Sequence, residues 1–412
     1  MEGFFKLASI LISVLLTNVI ILVIVPLFPV IAFRRGMSQT EISVLFTISQ
    51  LSSFVCSFQI SRIISSIGNR YTAILGLLTG AFSMLGIALG YYLSNTLFLY
   101  VSIGSRMIGG FGVACIYIAS FGMIQNEFPE KSEKYTSLME AFGGIGLMLG
   151  PLYCSLVHNF FGFSEQLIYI CIAVLIFTIM YWFGTRNGSK INSESENNQL
   201  GLMMKFTRNL AIDYSMLVYG YIVLCYLEPT LGLYLLEKGV DEGTIGLVFS
   251  GLTLFYTLTN FFMSWLGNFM KLEKIISLGV LTSTTVLIII GPIASMFNLI
   301  SLILISVCFV GIGLGIGFSC TMPAMIKEIK LTKFDKKEKL YELNSVYAMG
   351  LNVGEIIGPV ISSLISERFG FVFSSIFIIL IGLFILFSHF CLRKQIKPYL
   401  EPLLEINIIK EY

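Results

Sequence analysis

Charge is what this chain has least of. Only 12% of its 412 residues are Asp, Glu, Lys or Arg, about half the share that keeps a soluble domain wet. A soluble enzyme and a disordered chain are both excluded. A formal net charge of +2 provides no basic surface for nucleic acid. The two histidines, His158 and His389, sit at the ends of apolar stretches, which argues against a His-based metal centre. The eight cysteines form no Cys-x-x-Cys pair and lie in or beside apolar stretches, so they read as buried thiols rather than disulfides or metal ligands. No phosphate-cradling Walker motif is present. No Ser/His pair, His/Glu metal spacing or aspartyl pair lies within the apolar stretches, so an intramembrane enzyme is not expected. No cofactor and no metal are called for.

What the chain has instead is apolar length. Hydrophobic residues make up 56% of it, and the mean hydropathy is +0.87. Long apolar runs recur from Leu7 to Leu392, each near the ~20 residues a helix needs to cross a bilayer. The pattern predicts twelve spans, at about 7–33, 42–64, 72–92, 97–124, 136–158, 166–184, 210–236, 243–265, 274–294, 299–325, 342–366 and 371–392. The first run is too long for a signal-peptide core and ends in no small-residue cleavage site, so it is expected to stay. The expected fold is an all-α membrane protein with the lipid bilayer as its principal partner. A Ser-, Asn-, Gly- and Glu-rich stretch, 185–209, divides the chain into halves 1–184 and 210–392, followed by a tail, 393–412. Lysine and arginine set the orientation. With both termini cytoplasmic, only Arg34, Arg35, Lys238 and Arg368 of the 26 basic residues fall outside, and Arg106 falls within a span. The basic run 327–339 then reads as a solvated cytoplasmic loop, and the sequon at Asn187 as silent.

The chain repeats itself. Residues 26–46 align without a gap to 229–249, sharing Pro26/Pro229, Gly36/Gly239, Ile42/Ile245 and Phe46/Phe249. Gly146, Gly150 and Pro151, followed by Phe161-Gly162-Phe163, recur as Gly354, Gly358 and Pro359, followed by Phe369-Gly370-Phe371, with identical spacing from Pro to Phe. Two six-helix halves joined by a polar linker resemble the layout of the major facilitator superfamily, in which one half rocks against the other around a central site.

Charges inside the spans stand out, because each costs at least ~2.5–3.5 kcal/mol at mid-membrane. They are Arg106, Glu140, Glu228 and Glu355, and the repeat duplicates none of them: their counterparts are Cys308, Ala348, Val25 and Leu147. Arg106 and Glu355 fall near mid-span and Glu228 in the outer half. Glu140 lies close to the cytoplasmic end, where a helix-start charge explains it as well as substrate contact does. A carboxyl group in a weakly hydrated cavity holds a proton until a cation displaces it, so one site can serve both. Asn352 shares a helix face with Glu355. Asn18, Tyr117, Tyr256 and Asn260 add polar and aromatic lining, and tyrosine faces can hold an ammonium. Helix-interface packing explains each tyrosine equally.

Several motifs carry a family resemblance. Gly146, Gly150 and Pro151 resemble the fifth-span signature of proton-coupled antiporters, and Arg106 with Gly110 and Gly112 resembles their fourth-span arginine motif. Gly68 and Arg70 keep part of the charged gating loop between spans two and three, with Ser65 in place of its aspartate. Glu127-Phe-Pro-Glu130, Met139-Glu140 through Pro151, Leu227-Glu228-Pro229-Thr230-Leu231 and Gly354-Glu355 through Pro359 together resemble the vesicular amine transporter family, in its polyamine branch. Val23–Pro29 is similar to the monoamine members, but Thr17 stands where those carry an acid, followed by a matching Asn18. The resemblance implies a monomeric transporter exchanging protons for a small organic cation. Asn18, Arg106, Glu140, Glu228, Asn352 and Glu355 would serve binding and proton coupling. Gly68, Arg70, Gly146, Gly150, Pro151, Gly354, Gly358 and Pro359 would serve gating and helix packing. An exporter of other organic solutes or drugs, and a transport-inactive receptor on the same fold, remain as alternatives.

Overall fold

A computed structural model describes residues 2–158, 160–185, 208–266, 271–297, 299–330 and 336–393. The sequon, most of the 185–209 linker, much of the basic run and the tail beyond Arg393 lie outside these. Twelve α-helices follow in order: α1 (Glu2–Leu22), α2 (Phe28–Arg34), α3 (Gln39–Gly90), α4 (Asn95–Glu127), α5 (Ser132–His158), α6 (Phe163–Gly184), α7 (Arg208–Glu237), α8 (Glu242–Leu266), α9 (Leu272–Ile288), α10 (Ala294–Phe297), α11 (Ile300–Lys330) and α12 (Lys336–Leu392). No strand occurs among the described residues.

Helices and spans do not correspond one to one. α1 and α2 share the first span, which unwinds at residues 23–27. α9 and α10 share another, joined by a π-turn, Ile289–Ile293, that contains Pro292; a proline there removes an amide donor and breaks the α pattern. α3 and α12, at 52 and 57 residues, are each two crossings folded about a glycine, Gly68 (φ 85°) and Gly370 (φ 82°). Counted so, the chain crosses twelve times, with six crossings before the linker and six after. The outer surface carries large apolar side chains such as Phe82, Phe183, Phe384 and Phe387, which suits lipid and not water. This is a multi-pass membrane protein.

The described residues Glu2, Thr185, Arg208 and Arg393 lie at one end of the bundle, here the near end; the turns at 35–38 and 238–241 lie at the far end. Those two far-end turns are repeats of each other in structure as well as in sequence. Gly36 and Gly239 both take left-handed backbone, φ 81° and 82°, a region that L side chains rarely enter. Two residues on, Ser38 caps α3 by accepting from the Glu41 amide at 3.2 Å, and Asp241 caps α8 by accepting from the Thr244 amide at 2.9 Å. The Gly-x-x-x-Gly pairs also match. A Cβ added at Gly146 would fall on the Leu15 backbone oxygen of α1, and one at Gly354 on Tyr221 of α7. These glycines let α5 lie against α1, and α12 against α7, at a separation no larger side chain allows.

The halves meet where α5 packs on α8, the first arm of α3 on α12, and α2 on α7. Their polar ties are at the far end. Glu242 of α8 pairs with Arg34 of α2 and, at 3.0 Å, with His158 Nε2 of α5. The Ser155 hydroxyl donates to the Gly243 carbonyl at 2.6 Å, and the Thr40 amide donates to Glu367 at 2.9 Å. At mid-depth, Thr257 donates to the Gly144 carbonyl at 3.2 Å. The near-end ion pairs of the described residues stay within one half: Lys6–Glu127 at 2.6 Å in the first, and Arg393 with Asp213, Glu273 and Glu328 in the second.

Candidate functional site

Four ionisable side chains come from four helices of the bundle. Arg106 lies eleven residues into α4 from its far-end start, and Glu228 nine residues before the far end of α7. At 1.5 Å per residue these are depths of about 16 and 14 Å, nearly equal. Both are buried, at 2% and 8% exposure. Each is the opposite charge that acts on the other, across the boundary between the halves. Neither is spent locally. Arg106 Nε has no hydrogen-bond partner, and the contact recorded at Glu228 Oε1 is the Cys225 thiol at 3.9 Å. Two opposite charges buried without a direct salt bridge between them repay little of their desolvation cost. Such a pair is available to a third charge.

Glu355 and Glu140 sit closer to the near end. Glu355, on α12, is half-buried and feels the charge of Glu228. Glu140, on α5, is exposed although it lies eight residues inside its helix, two turns beyond its start. It is therefore past the first turn, where a helix-start charge would act. Tyr117 stands within electrostatic reach of both carboxylates, and its hydroxyl accepts from Asn18 Nδ2 at 2.7 Å. Tyr256 packs edge-on to Phe318 at 6.0 Å, and Tyr221 stacks on the same ring at 4.3 Å. Asn260 accepts from the Ser319 hydroxyl at 2.6 Å. Asn352 is half-buried on α12, one turn before Glu355. The structure thus gathers Asn18, Arg106, Glu140, Glu228 and Glu355 with these tyrosines around one central region, with polar inter-half ties on its far side.

The loop residues do something narrower. Arg70 donates to the Trp182 carbonyl at 2.6 Å and stacks over the Trp182 ring at 4.9 Å, tying the third span to the sixth within the first half. Ser65, the substitute for an aspartate, donates to the Arg62 carbonyl at 2.8 Å.

Two groups escape the sequence reading. Asp213 on α7 is fully buried and accepts from both terminal guanidinium nitrogens of Arg393, at 2.5 and 3.3 Å. An acid inside the predicted span 210–236 was the available signal. The far-end ties through Arg34, His158, Glu242, Thr40 and Glu367 come from polar helix ends, where a charge carries no contrast. All eight cysteines are free thiols; five are buried and Cys391 is exposed.

Comparison with known proteins places the chain. A family model described as Major Facilitator Superfamily matches residues 10–227 and 214–405. The Mus musculus protein named MFS-type transporter SLC18B1 is 24% identical over 358 residues, covering 84% of this chain and 76% of that protein. Its Homo sapiens counterpart is 23% identical over 354 residues, covering 84% and 76%. Among solved structures, the D-xylose-proton symporter superposes with a TM-score of 0.75 at 14% identity, covering 96% of this chain and 99% of that one. A bacterial homologue of the human lysosomal transporter Spinster, in an inward-facing and occupied conformation, gives 0.73 at 11% identity, covering 93% and 95%. At those identities the structural likeness speaks to fold alone. The family match over nearly the whole length, with relatives named as transporters, makes this chain a member of the Major Facilitator Superfamily, a twelve-span secondary transporter and not an enzyme.

Proposed function

We propose that the protein is a proton antiporter of organic cations, polyamines or related amines, working by alternating access between its halves 1–184 and 210–392. The observation that carries this reading is the placement of Arg106 and Glu228 on opposite halves, both buried and neither closed by a local hydrogen-bond network. An excess of carboxylates around a single guanidinium suits a cationic cargo. With the near end cytoplasmic, as the lysine and arginine bias requires, the cargo enters from the cytoplasm past Glu140. Its ammonium displaces a proton at Glu355 and then competes with Arg106 for Glu228. Breaking the far-end ties lets the halves rock. Tyr117, Tyr221 and Tyr256 offer ring faces along the path. The monomer suffices, since one chain supplies every group.

The resemblance of the fifth-, seventh- and eleventh-span motifs to the polyamine branch of the vesicular amine transporters supports the same cargo. Uptake of labelled spermine, serotonin and a dye cation into proton-loaded proteoliposomes tests it. The reading requires spermine accumulation that collapses when the pH gradient is discharged. Accumulation of none of the three, or accumulation indifferent to the gradient, overturns it.

A further inference from the structure

The far end holds a cavity of about 410 Å³ lying between the halves. Phe33 and Gln39 form its N-terminal wall, and Tyr234, Glu237, Glu367 and Phe371 its C-terminal wall. Its polar side chains mix acceptors with donors: the hydroxyls of Ser38, Thr230 and Ser366 line it beside Gln39, Tyr234 and the two carboxylates. Gln39 Oε1 is buried and accepts no hydrogen bond. Glu237 and Glu367 are exposed carboxylates that contribute acceptors only. Tyr234 is 5% exposed, and its hydroxyl, near the Ser295 side chain, completes no hydrogen bond. The two carboxylates and the unpaired Gln39 oxygen leave acceptor capacity for a ligand that donates.

The walls match the rest of such a ligand. The Tyr234 ring stacks on Phe371 at 4.2 Å and 13°, which makes a fixed aromatic floor, and Phe33 is 45% exposed at the opposite side. Aromatic faces beside carboxylates suit a cation with a hydrocarbon body. The Lys238 ammonium stands 5.8 Å from the Tyr234 ring centroid, so that ring already has one ammonium beside it. Glu367 has a second duty: the Thr40 amide and hydroxyl both donate to its Oε2, which ties the first half to the second.

We propose that this cavity binds an organic ammonium ion from the far side, and that the bound ion draws Glu367 away from Thr40. The ligand class rests on the proposed function; the cavity and its acceptors do not. Binding here weakens one of the far-end ties, so cargo on the far side promotes opening toward itself. That is a trans-stimulation site separate from the central one. A primary ammonium can donate N–H bonds to Gln39 Oε1 and the two carboxylates, which a quaternary one cannot, so the site selects the primary ion.

The test uses the full chain in liposomes with Phe33→Cys as reporter, modified by a membrane-impermeant maleimide from the far side. Putrescine is the probe, and tetramethylammonium the control without N–H donors. The measurement is made in the otherwise native chain and again with Glu228→Gln and Glu355→Gln, which disable the central site. Putrescine at twice its dissociation constant should slow labelling about threefold, the mass-action factor, in both backgrounds. Glu237→Gln should abolish the slowing, and tetramethylammonium should produce none. Absence of protection, or protection unchanged by Glu237→Gln, overturns the proposal. Protection in a protein that transports no organic cation leaves this site standing and removes the proposed function. Transport without protection does the reverse.

Discussion

At the same point of the repeat, the first half unwinds residues 23–27 and carries Val25, whereas the second keeps α7 helical through Pro229 and carries Glu228. Elsewhere the halves agree closely. Gly36 matches Gly239 in backbone and Ser38 matches Asp241 as a helix cap. Gly146 matches Gly354 as the point of closest approach between helices. The scaffold is duplicated and the charges are not: the first half supplies Arg106 and Glu140, and the second supplies Glu228 and Glu355. The difference teaches how rocking can be coupled to chemistry. Two identical halves would meet the same way before and after the movement. A cation on one half facing a carboxylate on the other makes the strength of their attraction depend on which way the cavity faces.

The largest effect should come from breaking the part that is shared. Gly146→Val places a side chain against the Leu15 backbone carbonyl, and Gly354→Val one against Tyr221 Cβ and the Val218 backbone carbonyl; none of these can move aside. Overpacking of this kind costs about 1–3 kcal/mol or more. Both variants should yield essentially no folded protein by fluorescence-detected size exclusion. A normal yield of one alone would show that the two contacts are not equivalent.

The unshared part comes next. Arg106→Met leaves Glu228 buried without its opposite charge, a loss of roughly 3 kcal/mol for an uncompensated buried group. Its melting temperature should fall and its transport vanish. Arg106→Met with Glu228→Leu should regain most of the melting temperature and none of the transport. If the double variant melts no higher than the single one, the two charges do not act on each other.

Smaller still is the far-end latch. Glu242→Gln releases Arg34 and weakens the contact with His158. Exposed ion pairs contribute about 0.2–1 kcal/mol, so far-side labelling of a cysteine at Gly144 should rise about two- to fivefold. An effect of similar size is expected at the matched caps. Ser38→Ala and Asp241→Ala should each cost about 1 kcal/mol, but only the second should depend on pH. The Thr244 hydroxyl and amide hold the Asp241 carboxyl below the usual carboxylate range. Its contribution is therefore complete above the unfolded value, near pH 4, and is lost as pH falls through the lower folded value. Melting curves at pH 6 and pH 3 check the sign.

The parts legible in the sequence were those with contrast. A lone carboxylate in an apolar run, such as Glu355, is conspicuous, and a Gly-x-x-x-Gly-Pro repeated at fixed spacing survives divergence because a larger residue would clash. The break at 23–27 was not legible: the reading ran the first span unbroken over 7–33, although Pro26 and Pro29 lie within it. Asp213 passed unremarked because its partner, Arg393, lies 180 residues away. The far-end ties join Arg34, His158 and Glu242 from three helices whose ends look alike in any polar loop, and only packing brings them together.

The central claim is that the two second-half carboxylates divide the work, Glu355 carrying the proton and Glu228 the cargo. Paired transport and binding measurements on Glu355→Gln and Glu228→Gln in liposomes, with and without a pH gradient, test it most directly. The account predicts that Glu355→Gln binds cargo and exchanges it but no longer accumulates it against a gradient, while Glu228→Gln loses binding under both conditions. Proton-driven accumulation by Glu355→Gln, or normal transport by both variants, would contradict it.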